Sequence, residues 1–458
     1  MGERILKLVV DILSQPAVLI ALISLIGLIL QKKPTNEIIK GTTKSFLGFI
    51  VIAAGAGILV GSLEPFGKMF QEAFNVNGVV PNNEAIVAMA LTEYGSTTAY
   101  IMFFGMLANI LIARFTKLKY IFLTGHHTLY MACMLAVILV VSGLKGISLI
   151  IIGSFALGLI MAVFPAICQP FMRKITGNDN VGFGHFSSLG YVLSGLVGRV
   201  VGKGSKSTEK INFPKGLGFL RDSSVTIALT MTILYLVIAL FAGPSYVEKE
   251  LSGGTHYLVF SVIQAVTFAA GVFVILSGVR LVLAEIVPAF KGISSKLVPD
   301  SKPALDCPIV FPYAPNAVLI GFFCSFLGGI VGMIILGISG AIIILPGVVP
   351  HFFTGATAGV FGNATGGIRG ATIGSFVNGL LITFLPVFLM PVLGDLGFAN
   401  TTFSDSDFAA SGIVLGNIAK SFGATGLTIT VVGLVLLAVL FGFFKKDKNN
   451  DPSVKVEA

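Results

Sequence analysis

Charge is scarce in this chain and tryptophan is missing from it. Only 11% of the 458 residues are charged, against about a quarter in an ordinary soluble domain. Hydrophobic residues make up 55%, and the mean hydropathy is +0.95. That is more apolar surface than soluble cores need, and it lies in long runs that lipid would accept. The length, which would otherwise suggest about two or three soluble domains, suggests about ten membrane spans instead.

Other absences exclude whole classes of chemistry. The four cysteines, Cys133, Cys168, Cys307 and Cys324, form no CxxC and no zinc-type spacing and read as packing residues. No GxxxxGK[ST] occurs, so the chain is not the motor of an ATP-driven pump. HExxH, GxSxG and carboxylate-rich metal clusters are also absent. No catalytic residue, metal or cofactor is expected, and an integral-membrane enzyme is a weak third reading. The net charge of +9 does not point to nucleic acid, because the basic residues sit in short connectors between apolar runs, facing lipid and cytoplasm.

Eleven spans are predicted, at 9–30, 46–63, 97–115, 121–143, 147–171, 225–242, 258–285, 317–341, 345–362, 371–393 and 427–444. The first resembles a signal peptide, with Arg4 and Lys7 ahead of it, yet it is long and lacks a clean cleavage site, so it reads as a retained span. Basic residues orient the set: Lys32, Lys33, Lys40 and Lys44, then Arg114, Lys117 and Lys119, then Arg173 and Lys174, then Lys203, Lys206, Lys210, Lys215 and Arg221 mark cytoplasmic loops. Lys291, Lys296, Lys302, Arg369 and the tail Lys445, Lys446 and Lys448 fall on the same side. The amino terminus is then outside and the carboxyl terminus inside. Polar yet glycine-rich stretches at 79–92, 181–201, 345–366 and 407–423 read as re-entrant or broken helices, which survive at membrane depth only where they line a cavity or are buried in protein.

The sequence also repeats itself. At an offset of 221, IIGSFALGLIMAVFPAICQP lies over TIGSFVNGLLITFLPVFLMP with 8 of 20 positions identical, where composition alone gives roughly two. At 222, Phe186, Gly190, Val192 and Leu193 fall on Phe408, Gly412, Val414 and Leu415; at 223, Gly55, Pro65 and Asn83 fall on Gly278, Pro288 and Asp306. The chain therefore divides into a first span and loop (1–44), repeat 1 (45–201), a loop and connecting span (202–267), repeat 2 (268–423) and a last span and tail (424–458). The second span and its counterpart run in opposite directions. The fold class that follows is an all-α integral membrane protein of eleven transmembrane helices, built from two inverted repeats with re-entrant or broken helices, an architecture that places substrate sites at the repeat interface.

Ionisable groups inside spans are functional candidates by default. Asp306 stands directly before a span, and its repeat counterpart is Asn83 beside Glu84. His126 and His127 lie in LTGHHTLY, and His185 in GFGHFSS. Imidazole and carboxylate can bracket a polyhydroxylated solute. A lone histidine in an apolar stretch is more often a packing residue, the reading preferred for His127 and His351. Glu64, Glu285 and Arg280 read as helix-end or ion-pair groups.

At these residues the chain resembles the membrane IIC subunit of ascorbate-type phosphoenolpyruvate-dependent phosphotransferase systems. The resemblance rests on GTTKSFLGFIVIAAGAGIL (41–59), LTGHHTLY, GFGHFSS and LPGVVPHFFTGATAGVF (345–361). To these it adds the long run VRLVLAEIVPAFKGISSKLVPDSKPALDCPIVFPYAPNAV (279–318). It implies a homodimer in a bacterial cytoplasmic membrane, with core helices carrying a sugar acid past interface helices. It implies import of L-ascorbate or a related sugar, phosphorylated by a separate cytoplasmic IIB protein that IIA supplies. The family's binding histidines correspond to His126 and His185 and its binding aspartate to Asp306. Tyr130 and Phe186 stand where the ascorbate proteins carry glutamine, and Asn83 and Glu84 where they carry Thr-Tyr. The substrate-binding set is thus Asn83, Glu84, His126, His127, Tyr130, His185, Phe186 and Asp306, with Pro65 and Pro288 as hinges. The competing reading is a proton- or ion-coupled permease using Asp306 and Glu84 as proton sites.

Overall fold

The computed structural model describes residues 16–74, 78–211, 216, 219, 222–394 and 401–444. Arg4, Lys7, Lys215, Arg221, Lys445, Lys446 and Lys448 lie outside them, as do the side chains of Glu285, Pro288 and Lys291. The long helices are α1 (Pro16–Leu30), α2 (Thr35–Phe74), α3 (Asn83–Phe115), α4 (Gly125–Val141), α5 (Gly146–Thr176), α6 (Ser188–Val201), α7 (Ser223–Ala242), α8 (Tyr257–Leu297), α9 (Pro315–Ser339), α10 (Ala356–Leu389) and α11 (Ser406–Phe444). Among the described residues, eight helical stretches are long and apolar enough to cross a membrane, and α4 and α6 are apolar but shorter. This is the all-α membrane architecture that the apolar runs predict.

Local chemistry sets the boundaries. Asn82, in extended backbone, accepts the Ala85 N–H at 2.8 Å and starts α3, as an N-cap should. Asp222 does the same for α7. Helix α5 ends on Gly177 at φ 72°, a left-handed stop that glycine adopts without strain. Gly367, at φ 55° and ψ −144°, divides α10 into two helical pieces, and Gly423 divides α11 likewise. Pro65 lies inside α2 without ending it.

Helices α2 and α8 pack along much of their length. At their crossing a Cβ on Gly278 would lie 2.6 Å from the Gly48 carbonyl oxygen, and one on Gly55 would lie 2.8 Å from Ile275. Small residues let helix backbones close to this distance. Helix α4 is buried on all sides from Leu129 to Leu139, which accounts for its lack of a polar face.

Among the described residues, six short strands join these helices: β1 (Gly78–Pro81), β2 (Tyr120–Phe122), β3 (Gly182–Phe183), β4 (Lys302–Leu305), β5 (Ile343–Ile344) and β6 (Thr401–Thr402). They form two parallel sheets ordered β5-β1-β6 and β2-β4-β3. Each sheet has its central strand from one half of the sequence and its flanking strands from the other. The registers also correspond. Gly78 pairs with Ile343 and Val80 with Thr401; Lys302, displaced by 224 from Gly78, pairs with Tyr120, and Ala304 pairs with Gly182.

Candidate functional site

All three strands of each sheet run the same way, so each sheet gathers the residues that follow its strands at one end. His126 follows β2 by four residues, Asp306 follows β4 directly and His185 follows β3 by two; from the other sheet, Asn83 follows β1 and Asp405 follows β6. The two ends meet. Ser187 and Ser406 hydroxyls stand 3.2 Å apart. Asp407 accepts the Ser188 N–H at 2.7 Å and the Leu189 N–H at 2.9 Å, so it caps α6 from the opposite half of the sequence.

Around this meeting point lie most of the residues singled out from sequence. His126 Nε2 is 3.4 Å from Asp306 Oδ2, and their side chains keep 23% and 33% of their exposure; they flank the open part of the site. Asp306 also accepts the Cys307 N–H at 2.7 Å, which fixes the carboxylate's orientation. His185 Nδ1 is 2.7 Å from the Tyr191 hydroxyl and 3.7 Å from Asp405 Oδ2. Asn83 donates to Asp405 Oδ1 at 2.9 Å and accepts the Ser404 N–H at 2.9 Å. Glu84 is buried on the first turn of α3. Tyr130 is buried with its hydroxyl unpaired, its ring 5.8 Å from that of His126.

His127 and Phe186 lie deeper. His127 packs its ring 3.8 Å from His185 and stacks on Phe408, while its Nδ1 accepts the Phe186 N–H at 3.1 Å. A neutral imidazole accepting at Nδ1 carries its proton on Nε2, the atom 3.9 Å from Asp405 Oδ2. Phe186 is fully buried and stacks on Phe122 at 4.5 Å between ring centroids. Its side chain therefore contributes to the aromatic layer behind the site, not to the open part. His351 is away from this cluster, buried and hydrogen-bonded to Ser325 at 2.9 Å.

Two trios place potential metal-ligating atoms within 4.8 Å of one another: His127, His185 and Asp405, and His185, Asp306 and Cys307. The first does not suit a metal, because the His127 tautomer points a proton at the shared space. The second has no fourth ligand among the described residues, and His185 Nδ1 is engaged by Tyr191.

At the far end of the β2-β4-β3 sheet, Asp179 accepts from Gln169 and Arg173, each at 2.8 Å, and from Lys302. Partial burial raises the carboxyl's pKa, and these three donors outweigh it and hold it at about 2.

Asp405, Asp407 and Tyr191 were not predicted as site residues. A signal for the two aspartates exists: the β3–α6 segment GFGHFSS aligns at an offset of 219, the offset of the strand registers, with TTFSDSD, so Ser404 to Asp407 are the positional counterparts of His185 to Ser188.

Comparison with known proteins agrees with this reading of the chain. Residues 11–407 match the family described as EIIC-GAT, PTS system sugar-specific permease component. The chain belongs to that family. It is also 24% identical over 404 residues to a Mycoplasma pneumoniae protein named ascorbate-specific PTS system EIIC component. That match covers 77% of this chain and 61% of the relative, so the chain spans under two thirds of the protein it resembles.

Proposed function

We propose that this chain is the membrane-embedded IIC permease component of a phosphoenolpyruvate-dependent phosphotransferase system. It imports L-ascorbate or a related sugar or sugar acid into a bacterium across the cytoplasmic membrane. The observation that carries the reading is the convergence of His126, His185, Asp306 and Asn83 from two sheets that exchange strands between the halves of the chain. Corresponding strand registers support the two inverted repeats, and a site between such repeats is reached from one membrane face at a time. The amino terminus is outside, the carboxyl terminus cytoplasmic, and the working unit a homodimer of eleven-span subunits.

The solute binds against His126 and Asp306 and is presented inward. A separate IIB protein, recharged by IIA, then transfers its phosphoryl group. The solute hydroxyl oxygen attacks phosphorus, the bond to the IIB cysteine sulfur breaks, and the hydroxyl proton is released. Phosphorylation adds charge that makes return across the membrane unfavourable. Phosphoryl chemistry thus stays on the soluble partners.

A proton-coupled permease is the second reading, favoured by the buried acids Glu84, Asp405 and Asp407. Uptake into vesicles carrying only this protein, with and without phosphoenolpyruvate and the soluble phosphotransferase proteins, separates the two. Accumulation only in the presence of both additions is expected; concentrative uptake on a proton gradient alone overturns the phosphotransferase reading.

A further inference from the structure

A cavity of about 820 Å³ lies away from the candidate solute site, between α2, α7 and α8 on one side and α9, β1 and the residues after β5 on the other. Its walls have one chemistry. Phe66, Phe70 and Phe74 recur at every fourth position of α2 beyond Pro65 and so share one face, which they turn to the cavity. Leu234 of α7 and Met333 of α9 line it from other sides. Asn82 is the one polar side chain in the lining, and its oxygen already accepts the Ala85 N–H. A buried water needs about two to four polar partners, which this lining does not offer. An unfilled apolar space forfeits the dispersion contacts of the side chains around it. The ligand that suits the cavity is therefore apolar.

The surroundings say which apolar ligand is at hand. Helices α7 and α9 are long and apolar enough to cross a membrane. Both border the cavity, and among the described residues they do not pack along each other. Two of the lining residues, Phe74 and Val237, are exposed, so the cavity opens there. Beside them Leu240 and Phe241 of α7 and Ile334 of α9 are exposed as well. The cavity is thus continuous with the apolar surface that these spans turn to the bilayer, and what lies against that surface is lipid hydrocarbon. Met231 and Met333, unbranched and flexible, let the walls adapt to a chain of varying shape.

The cavity also adjoins the machinery of the solute site. Val80 and Pro81 of β1 line it, and β1 leads through Asn82 to Asn83, which holds Asp405.

We propose that one acyl chain of a membrane phospholipid enters between α7 and α9 and lies in this cavity against Phe66, Phe70 and Phe74, where it supports β1 behind Asn83. This is independent of which solute the protein carries and of how transport is driven.

The chain has no tryptophan, so a single introduced indole reports on its own surroundings. Phe70→Trp keeps an aromatic ring on the cavity wall, whereas Ile233→Trp, on the exposed side of α7, faces the surrounding lipid or detergent. Each full-length variant, purified in detergent and stripped of lipid, is titrated with phosphatidylcholine brominated on its acyl chains, a short-range quencher. Phe70→Trp is expected to dim at least twofold, saturating near equimolar lipid, and to recover when unbrominated phosphatidylcholine competes. Ile233→Trp is expected to dim in proportion to the brominated fraction, without saturating at that ratio. No quenching of Phe70→Trp overturns the proposal, and is also the result if a second copy of this chain covers the opening. Identical titrations of the two variants overturn it too. Stronger quenching of Phe70→Trp by brominated stearic acid at equal concentration overturns the phospholipid in favour of a free fatty acid. Should Phe70→Trp fail to fold, Leu234→Trp serves in its place with the same expected and overturning results.

Discussion

Asn83 and Asp405 hold each other across the site: the amide of Asn83 donates to Asp405 Oδ1 at 2.9 Å, and its carbonyl oxygen accepts the Ser404 N–H at 2.9 Å. The two residues follow central strand β1 and flanking strand β6, 322 positions apart in sequence. Asp405 then faces His127 and His185 with its second oxygen. One carboxylate therefore sets the place of three residues of the candidate site.

Replacing that oxygen tests the arrangement. In Asp405→Asn the Oδ1 acceptor for Asn83 and Ser404 is kept, but an amide N–H replaces Oδ2 and faces the proton on His127 Nε2. Opposed donors in a buried site cost about 1–3 kcal/mol, or roughly a tenfold loss of affinity for each 1.4 kcal/mol. Solute binding is expected to weaken tenfold or more while the variant still folds, as judged by calorimetry and thermal unfolding in detergent. Unchanged affinity would mean that Asp405 does not position the binding histidines.

What the sequence discloses of this site follows from how each feature is encoded. His126, His185 and Asp306 stand out because an ionisable group in an apolar run is costly, and the repeat offset pairs Asp306 with Asn83. Asp405 and Asp407 stand beside serines and threonines in a short polar segment, where acids read as a loop or a helix cap. The strands escape notice because two to four residues are too few to show a period of two, and their partners lie between 122 and 321 residues away. The position of Phe186 in GFGHFSS puts it beside the site, but sequence does not state which way a side chain turns, and its ring lies among Phe122, Phe164 and Phe408.

The crossing of α2 and α8 gives a prediction about folding. A methyl group on Gly278 would meet the Gly48 carbonyl oxygen at 2.6 Å and the Ile52 nitrogen at 2.7 Å, backbone atoms with no rotamer to yield. Overpacking of this kind costs about 1–3 kcal/mol. Gly278→Ala, on α8, is expected to lower the thermal midpoint in detergent, whereas Gly57→Ala, on α2 with nothing within 4 Å of its new methyl group, is expected to leave it unchanged or raise it, since alanine favours a helix over glycine by about 1 kcal/mol. Equal midpoints for both would refute close packing at this crossing.

Asp179 gives a pH dependence with a definite sign. Its carboxyl is held at about 2 in the folded protein by Lys302, Arg173 and Gln169, below the ordinary aspartate value of about 3.9. A depressed pKa means stabilisation that is fully present above the unfolded value and is lost as pH falls through the folded one. Asp179→Asn is therefore expected to unfold at a lower temperature than the parent at pH 5 to 7, with the gap closing between about pH 4 and pH 2. The effect is modest, because the side chain is about half exposed and solvent screens such pairs. A gap that stays constant down to pH 2 would assign the loss to packing and not to charge.

The segment after α6 is held against α10 by Asn363 and by the Ile368 and Arg369 N–H groups, and against α9 by one acidic residue whose loss exposes it to proteolysis. Glu209 Oε1 accepts the Asn316 N–H at 2.9 Å and the Ala317 N–H at 3.2 Å, on the first turn of α9. These are N–H groups that a helix cannot satisfy internally, and a carboxylate there is also favoured by the helix dipole. Asn316 strengthens the attachment by donating to the carbonyls of Thr208 and Ile211. Lys203, Lys206 and Lys210 on this segment are exposed, yet cleavage needs the backbone to lift away. Glu209→Ala removes the acceptor at a cost of about 1 kcal/mol, which raises the lifted fraction roughly fivefold. Limited trypsin digestion in detergent, followed by mass spectrometry, is expected to show cleavage after these lysines several times faster in Glu209→Ala than in the parent, with Glu209→Asp in between. Identical rates in all three would show that Glu209 does not hold the segment against α9.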